Sequence, residues 1–337
     1  MNTSTFPSPS LDDPALLTAR DARREARDVL GPGFDARVLE PSPPATLDGE
    51  WPNDPVARGT IPPGSRLVTP VGAGDLQWSD WVWDNHAHTA WASARWLGAY
   101  RRLVVPPAGY ATTREALHKI AMYVVTPAQR RVNGEIALRY TMGGFGTHFF
   151  GDDEQVRVAG HHIVRQRGAT ARAEAIATLA QAASVALDAP PDVAWAEGFD
   201  APPAGDPDAP LGLDPVAAAF LGDWFGFAYS LLEELRAEPE SRDPSPVHLW
   251  PEHFDAAFDC LEGDRRIGMG CSPGDRDVPE PYVYVLPHDY SAAPSSDYWN
   301  ATAFRGSILT LSGFVDGDDQ REAVLSFVRE GRRLMSQ

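Results

Sequence analysis

Between residues 245 and 284 stand His248, Glu252, His253, Asp255, Cys271 and Asp275, the densest set of chemically capable side chains in the chain. Val247-His248-Leu249-Trp250 lies between two prolines and reads as a brief extended segment. Pro251 suits the first turn of a helix, where its missing N–H is not needed, and Glu252 favours the positive end of the helix dipole. Phe254, Ala257, Phe258 and Leu261 follow at helical spacing, and Gly263 supplies a stop. That spacing predicts a helix over 251–261, with Glu252, Asp255 and Asp259 on its second face and His248 just before its start. A strand end feeding a helix start can gather an imidazole and two carboxylates, which suits a divalent metal or a general acid/base pair. His248 would be base or ligand, and Asp255 and Glu252 its carboxylate partners. The same groups also have a routine use: carboxylates satisfy free N–H groups at a helix start, and a lone histidine serves as a hydrogen-bonded wall residue.

A second constellation occupies 78–103. Five of the ten tryptophans fall here, at 78, 81, 83, 91 and 96. On a helix, Trp81, Asp84, His88, Trp91 and Arg95 share one side, and Asp84 and His88 form an i, i+4 pair. A carboxylate beside an imidazole fixes its tautomer and raises its pKa, which makes Asp84–His88 a second catalytic candidate. The ordinary alternative is a tryptophan-filled core with a structural Asp–His pair.

Those capable groups need elements to hold them. Thr112-x-x-Glu115 is a capping box for a helix over 113–126 that carries His118, with Pro127 expected to end or kink it. Residues 134–150 read as strand, glycine turn, strand. Gly143-Gly144-Phe145-Gly146 has neither the lysine nor the spacing of a phosphate loop, so it predicts a tight hairpin or bulge, with Phe145 beside any pocket it covers. His161 and His162, adjacent on a strand, are expected to face opposite ways. Gly268 and Gly270 thin the strand before Cys271; such glycines mark close approach by a ligand or by neighbouring chain. Residues 281–287 form an aromatic, β-branched strand. Trp81, Trp91, Trp250, Tyr282 and Tyr284, with His118, are the candidate wall of a ligand site.

Several of these residues resemble one bacterial family built on a domain of unknown function, the five-nine-nine-six type. The likeness rests on Ser245-Pro246-Val247-His248, Phe254-Asp255, the Ser272-Pro273-Gly274 turn and 279–285, then Tyr298-Trp299-Asn300, 306–314 and a terminal helix through Phe327. It covers 245–334 well and thins upstream. There Leu117-His118 and 134–138 resemble family signatures, but Glu135 replaces a lysine and 143–147 occupies the place of an Asn-His-Trp-Trp element. The resemblance implies that His248 and Asp255 matter more than His253. It implies fold and relatives, not a reaction.

The net charge is −18, from 29 basic and 47 acidic residues. Such a chain repels nucleic acid and anionic membrane surfaces unless a local basic patch intervenes, and none of useful length is present. Lys119 is the single lysine; with the Ala, Pro, Gly and Arg richness this is a composition that a high-GC bacterial genome encodes. Cys260 and Cys271 make no disulfide framework and match no zinc or redox spacing. No signal-peptide pattern or long apolar run is evident, so the expected location is the cytoplasm. No cofactor is assignable, and the expected partner is a small molecule.

The chain divides into a tail, surface helix and Pro-rich wrap over 1–65, a helical and hairpin lobe over 66–187, an Asp/Pro/Gly-rich linker over 188–214, and a C-terminal lobe over 215–337. The fold class expected is α+β: antiparallel strands from 134–165 and 245–315 against helices 79–103, 113–126, 169–187 and 215–238, in one large domain or two closely packed lobes. Three functions fit: an enzyme on a small molecule using His248 with Asp255 and Glu252, a non-catalytic small-ligand binder with an aromatic pocket, or an interaction scaffold.

Overall fold

The structure is a computed structural model. It describes residues 103–337, apart from 142, 143, 149, 152, 153, 168, 169, 200 and 237, together with two short parallel strands, β1 (Asp35–Val38) and β2 (Ser65–Val68). The predicted helix over 79–103 lies outside the described residues.

Two antiparallel sheets of five strands make up the α+β body. The first contains β3 (Arg139–Thr141), β4 (Gly144–Gly146), β5 (Glu154–Ala159), β6 (His162–Arg167) and β7 (Thr170–Ala175), in that order. The second contains β8 (His248–Trp250), β9 (Asp255–Glu262), β10 (Arg265–Ser272), β11 (Tyr282–Pro287) and β12 (Ser307–Thr310). Each strand pairs with its neighbour in sequence, so both sheets are simple meanders. Leu138 and Leu249 exchange two backbone hydrogen bonds of 2.8 Å, which tie the β3 edge of one sheet to the β8 edge of the other.

Among the described residues the α-helices are α1 (Tyr110–Ile120), α2 (Thr126–Asn133), α3 (Leu179–Leu187), α4 (Pro215–Arg236) and α5 (Gln320–Met335). Asp214 caps α4 by accepting the Ala217 N–H at 2.8 Å. α4 packs on β3 and β4 of one sheet and on β9 and β10 of the other. Apolar residues run round nearly its whole circumference, as a helix in contact with both sheets requires. It is long and apolar enough to cross a membrane, yet 83% of its apolar window is buried inside the fold. α5 covers β10, β11 and β12, and Arg332 fixes it there by bonding the buried Glu262 of β9 and Glu238 beyond α4.

Four expectations are corrected. Residues 255–262 are a strand, not a helix, and Gly263 (φ 61°) serves the β9–β10 hairpin. The stretch 169–187 is strand first and helix only from Leu179, capped by Thr178. Pro127 does not end its helix: a π-helical turn (Ala121–Val125) joins α1 to α2, and the Met122 and Tyr123 carbonyls before Pro127 are taken by the Trp195 indole N–H and the Asp192 N–H. The rings of His161 and His162 lie 4.2 Å apart, because His161 belongs to the turn and folds back on its neighbour. The Asp/Pro/Gly-rich stretch after α3 packs closely, with the Trp195 indole N–H bonded to the Met122 carbonyl at 2.8 Å and Leu211 N–H to Ala177 at 3.0 Å.

Candidate functional site

Residues paired across a β-ladder share a face. In the second sheet Ala256, Phe258 and Cys260 of β9 are buried in the core that includes α4, so their neighbours Asp255, Ala257 and Asp259 point to the opposite face. The register puts Trp250 beside Asp255 and His248 beside Ala257. It continues across β10 and β11, aligning Ala257 with Gly270 and Tyr284; Ser272, one position beyond the Ala256–Cys271 pair, aligns with Tyr282. One face thus carries an imidazole, an indole, two carboxylates and two phenols over a floor of Ala257, Gly268 and Gly270.

The small floor residues set the geometry. Tyr284 lies across Gly270, so closely that a Cβ there would collide with its ring, and its hydroxyl donates to Asp255 Oδ2 at 2.6 Å. His288 reaches over Gly268 in the same way to meet Asp259 at 2.8 Å. Asp255 is 6% exposed. Burial is the main force on its pKa, which rises from 3.8 to about 6; the neighbouring charge of Glu252 adds to the rise, while the Tyr284 hydrogen bond, His253 and the residue's own backbone N–H oppose it. Its second oxygen, Oδ1, has no hydrogen-bond partner among the described residues, and neither has the buried Oε2 of Glu252. Burial and the Asp255 carboxylate hold the Tyr284 phenol well above its ordinary pKa, so it remains a donor.

The turn before Asp255 is strained and braced. Phe254 is left-handed (φ 55°), a conformation that costs a bulky residue about 1–3 kcal/mol. Its N–H closes the turn on the Trp250 carbonyl at 2.7 Å, and its ring packs edge-on against Phe145 and Phe225 and stacks on His118 at 5.0 Å. His118 Nε2 donates to the Pro251 carbonyl at 2.8 Å. Burial drives its pKa down to about 4, leaving the ring neutral. Arg114 and Tyr110, one and two turns earlier on α1, bond the carbonyls of Asp275 and Pro279 and of Pro273 respectively. A single stripe of α1 therefore holds both loops at this end of the sheet.

The sequence-derived candidates fare unequally. Asp255, Glu252, Trp250, Tyr282 and Tyr284 come together. His248 shares their face but sits toward the first sheet, with its ring 5.4 Å from Trp250 and 6.0 Å from His148. His148 is pushed down to about 3 by burial, Arg139 and His248. Phe145 is fully buried core, not a pocket wall, because β4 turns it toward Phe225 of α4. His118 is a brace for the turn. Asp275 accepts the Tyr282 hydroxyl at 2.7 Å and the N–H groups of Asp277 and Val278, which is loop closure. Cys271 is buried, and burial raises its thiol far out of the reactive range. Asp84, His88, Trp81 and Trp91 lie outside the described residues. Among the described residues no three of His, Cys, Asp and Glu gather as metal ligands.

Sequence reasoning missed the Asp259–His288 pair and the donor role of Tyr284. The alternate glycines at 268 and 270 were the available signal for both. No family model, curated protein or solved structure matches the chain.

Proposed function

We propose that the chain is an enzyme acting on a small molecule, with Asp255 as its proton-transfer group and Tyr284 as the residue that orients it. The observation that carries this reading is the buried Asp255 carboxyl: one oxygen is held by Tyr284, the other is unpartnered among the described residues, and its pKa is raised to about 6. A carboxyl titrating near 6 exchanges protons effectively at neutral pH. Carboxylates left unsatisfied in a fold are costly, and a catalytic role is one of the reasons they are kept. Strain at Phe254 immediately before Asp255 fits the same site. Glu252 is the second carboxylate, and His248 and Trp250 bound the site on the β8 side. The cytoplasmic location and the membership of the unknown-function family form part of this proposal.

The test incubates the full chain with a defined mixture of small metabolites and follows composition by mass spectrometry, with Asp255→Asn alongside. Conversion by the native chain and its loss in the folded variant is the expected result. Equal conversion by both overturns the role of Asp255. Retention of a compound without conversion moves the assignment to a binding protein, a reading favoured by Trp250, Tyr282 and Tyr284 sharing one face. A scaffold has less support: the exposed large apolar side chains among the described residues are Val104, Val105, Val132, Val193 and Phe199, none of them on this face.

A further inference from the structure

Asp255 Oδ1 and Glu252 Oε2 are both buried acceptors lacking a donor among the described residues. Glu252 lies within the turn that the Phe254 N–H closes on the Trp250 carbonyl, and Asp255 follows that turn at the start of β9. The neighbouring phenols are already committed, Tyr284 to Asp255 Oδ2 and Tyr282 to Asp275. His253 acts on Asp255 as a neighbouring charge, yet neither Asp255 Oδ1 nor Glu252 Oε2 has a donor among the described residues. Trp250, ladder partner of Asp255, is half-buried on the same face and presents an aromatic surface beside the carboxylates. A carboxylate pair flanked by an indole is the combination that holds an organic cation, through charge-assisted hydrogen bonds and cation–π attraction. The net charge of −18 raises the local concentration of cations.

We propose that the ligand of this site carries a primary ammonium or guanidinium group, whose N–H donors bond Asp255 Oδ1 and Glu252 Oε2 while its alkyl stem lies along Trp250. This rests on the assignment of the site to Asp255 and adds the substrate class. A carboxylate or phosphate would meet two negative groups, and a neutral alcohol would supply one donor where two acceptors wait. A divalent cation also satisfies carboxylates, so magnesium and calcium are tested beside the amines; it would leave the indole face of Trp250 without a role.

The experiment is isothermal titration of the full chain, in 150 mM salt, with 1,4-diaminobutane and agmatine. Butyrate, butanol, magnesium chloride and calcium chloride serve as counter-probes. Saturable binding of at least one amine is expected, weakened about tenfold or more in Asp255→Asn and in Glu252→Gln, and by a smaller factor in Trp250→Leu. Absence of saturable amine binding, or binding indifferent to Asp255→Asn and Glu252→Gln, overturns the proposal. So does tight calcium or magnesium binding that excludes the amines. If butyrate or butanol binds and Asp255→Asn abolishes it, the ligand class is wrong while the site stands. If a probe binds and neither substitution affects it, the site falls too. Melting curves of each variant establish that it is folded.

Discussion

Replacing Asp255 by Asn tests the central electrostatic claim without needing a substrate. The native carboxyl keeps its proton up to about pH 6, whereas the unfolded one releases it near 3.8. Between these values the native state holds more protons than the unfolded state, so this group's contribution to stability falls as pH rises through that window. Above it both states are ionised and the full cost applies. At about 1.4 kcal/mol per pH unit the buried carboxylate costs the fold roughly 3 kcal/mol at pH 7 and above. His118 and His148 work with the opposite sign. Their pKa values are held down to about 4 and about 3, below the ordinary 6.5, so they add stability that is present above pH 6.5 and lost as pH falls. The native pH profile therefore mixes both trends, and only the difference between variant and native chain isolates Asp255. Asn also places an N–H where Oδ1 stood, adding an offset of about 1–3 kcal/mol that does not vary with pH. Urea unfolding of both chains at half-unit steps from pH 4 to 8 should give a difference that climbs in the variant's favour by about 2–2.5 kcal/mol up to pH 7 and is level above. A flat difference, or one of opposite slope, would refute the claim that burial dominates at Asp255.

Other expectations follow from single contacts. Gly270→Ala puts a methyl into the Tyr284 ring and should cost about 1–3 kcal/mol, and by moving the phenol off Asp255 it should lift that carboxyl's pKa above about 6, as read by carboxyl carbon-13 titration. Tyr284→Phe should lift it in the same direction without the steric cost. Arg332→Met strands Glu262 in the core and should destabilise by about 3–5 kcal/mol in urea unfolding, most of it recovered when Glu262→Gln is added. Cys260 and Cys271 are buried, with thiols raised to about 11 and beyond; native protein at pH 8 should resist a thiol reagent until urea unfolds it, and fast labelling of folded chain would count against the described packing.

The error at 255–262 explains how much of this site the sequence could reveal. Phe254, Ala257, Phe258 and Leu261 satisfy a helical spacing, while Ala256, Phe258, Cys260 and Glu262 alternate as a strand with one buried face. Over eight residues both periods fit, and local pattern cannot choose between them. The choice is made by partners far away in sequence: β10 closes a full ladder on one side, and β8 closes a short one on the other. α4 was legible because its apolar pattern runs for six turns, and β11 because aromatic and β-branched residues leave little alternative. Asp255 keeps Asp259 on its face whichever of the two elements forms. On a helix, Asp255 and Asp259 share a face because they are four apart; on a strand they share one because four is even. What changes is the third dimension. On a helix start the carboxyl would have been capped by backbone N–H groups, and its low cost would have argued for structure. On β9 it instead meets Tyr284 through the gap at Gly270, keeps one oxygen without a partner among the described residues, and pairs in the ladder with Trp250. The glycines of β10 therefore do more than permit packing. They let β11 reach β9 over the top of an intervening strand, and that reach turns a strand residue into a site.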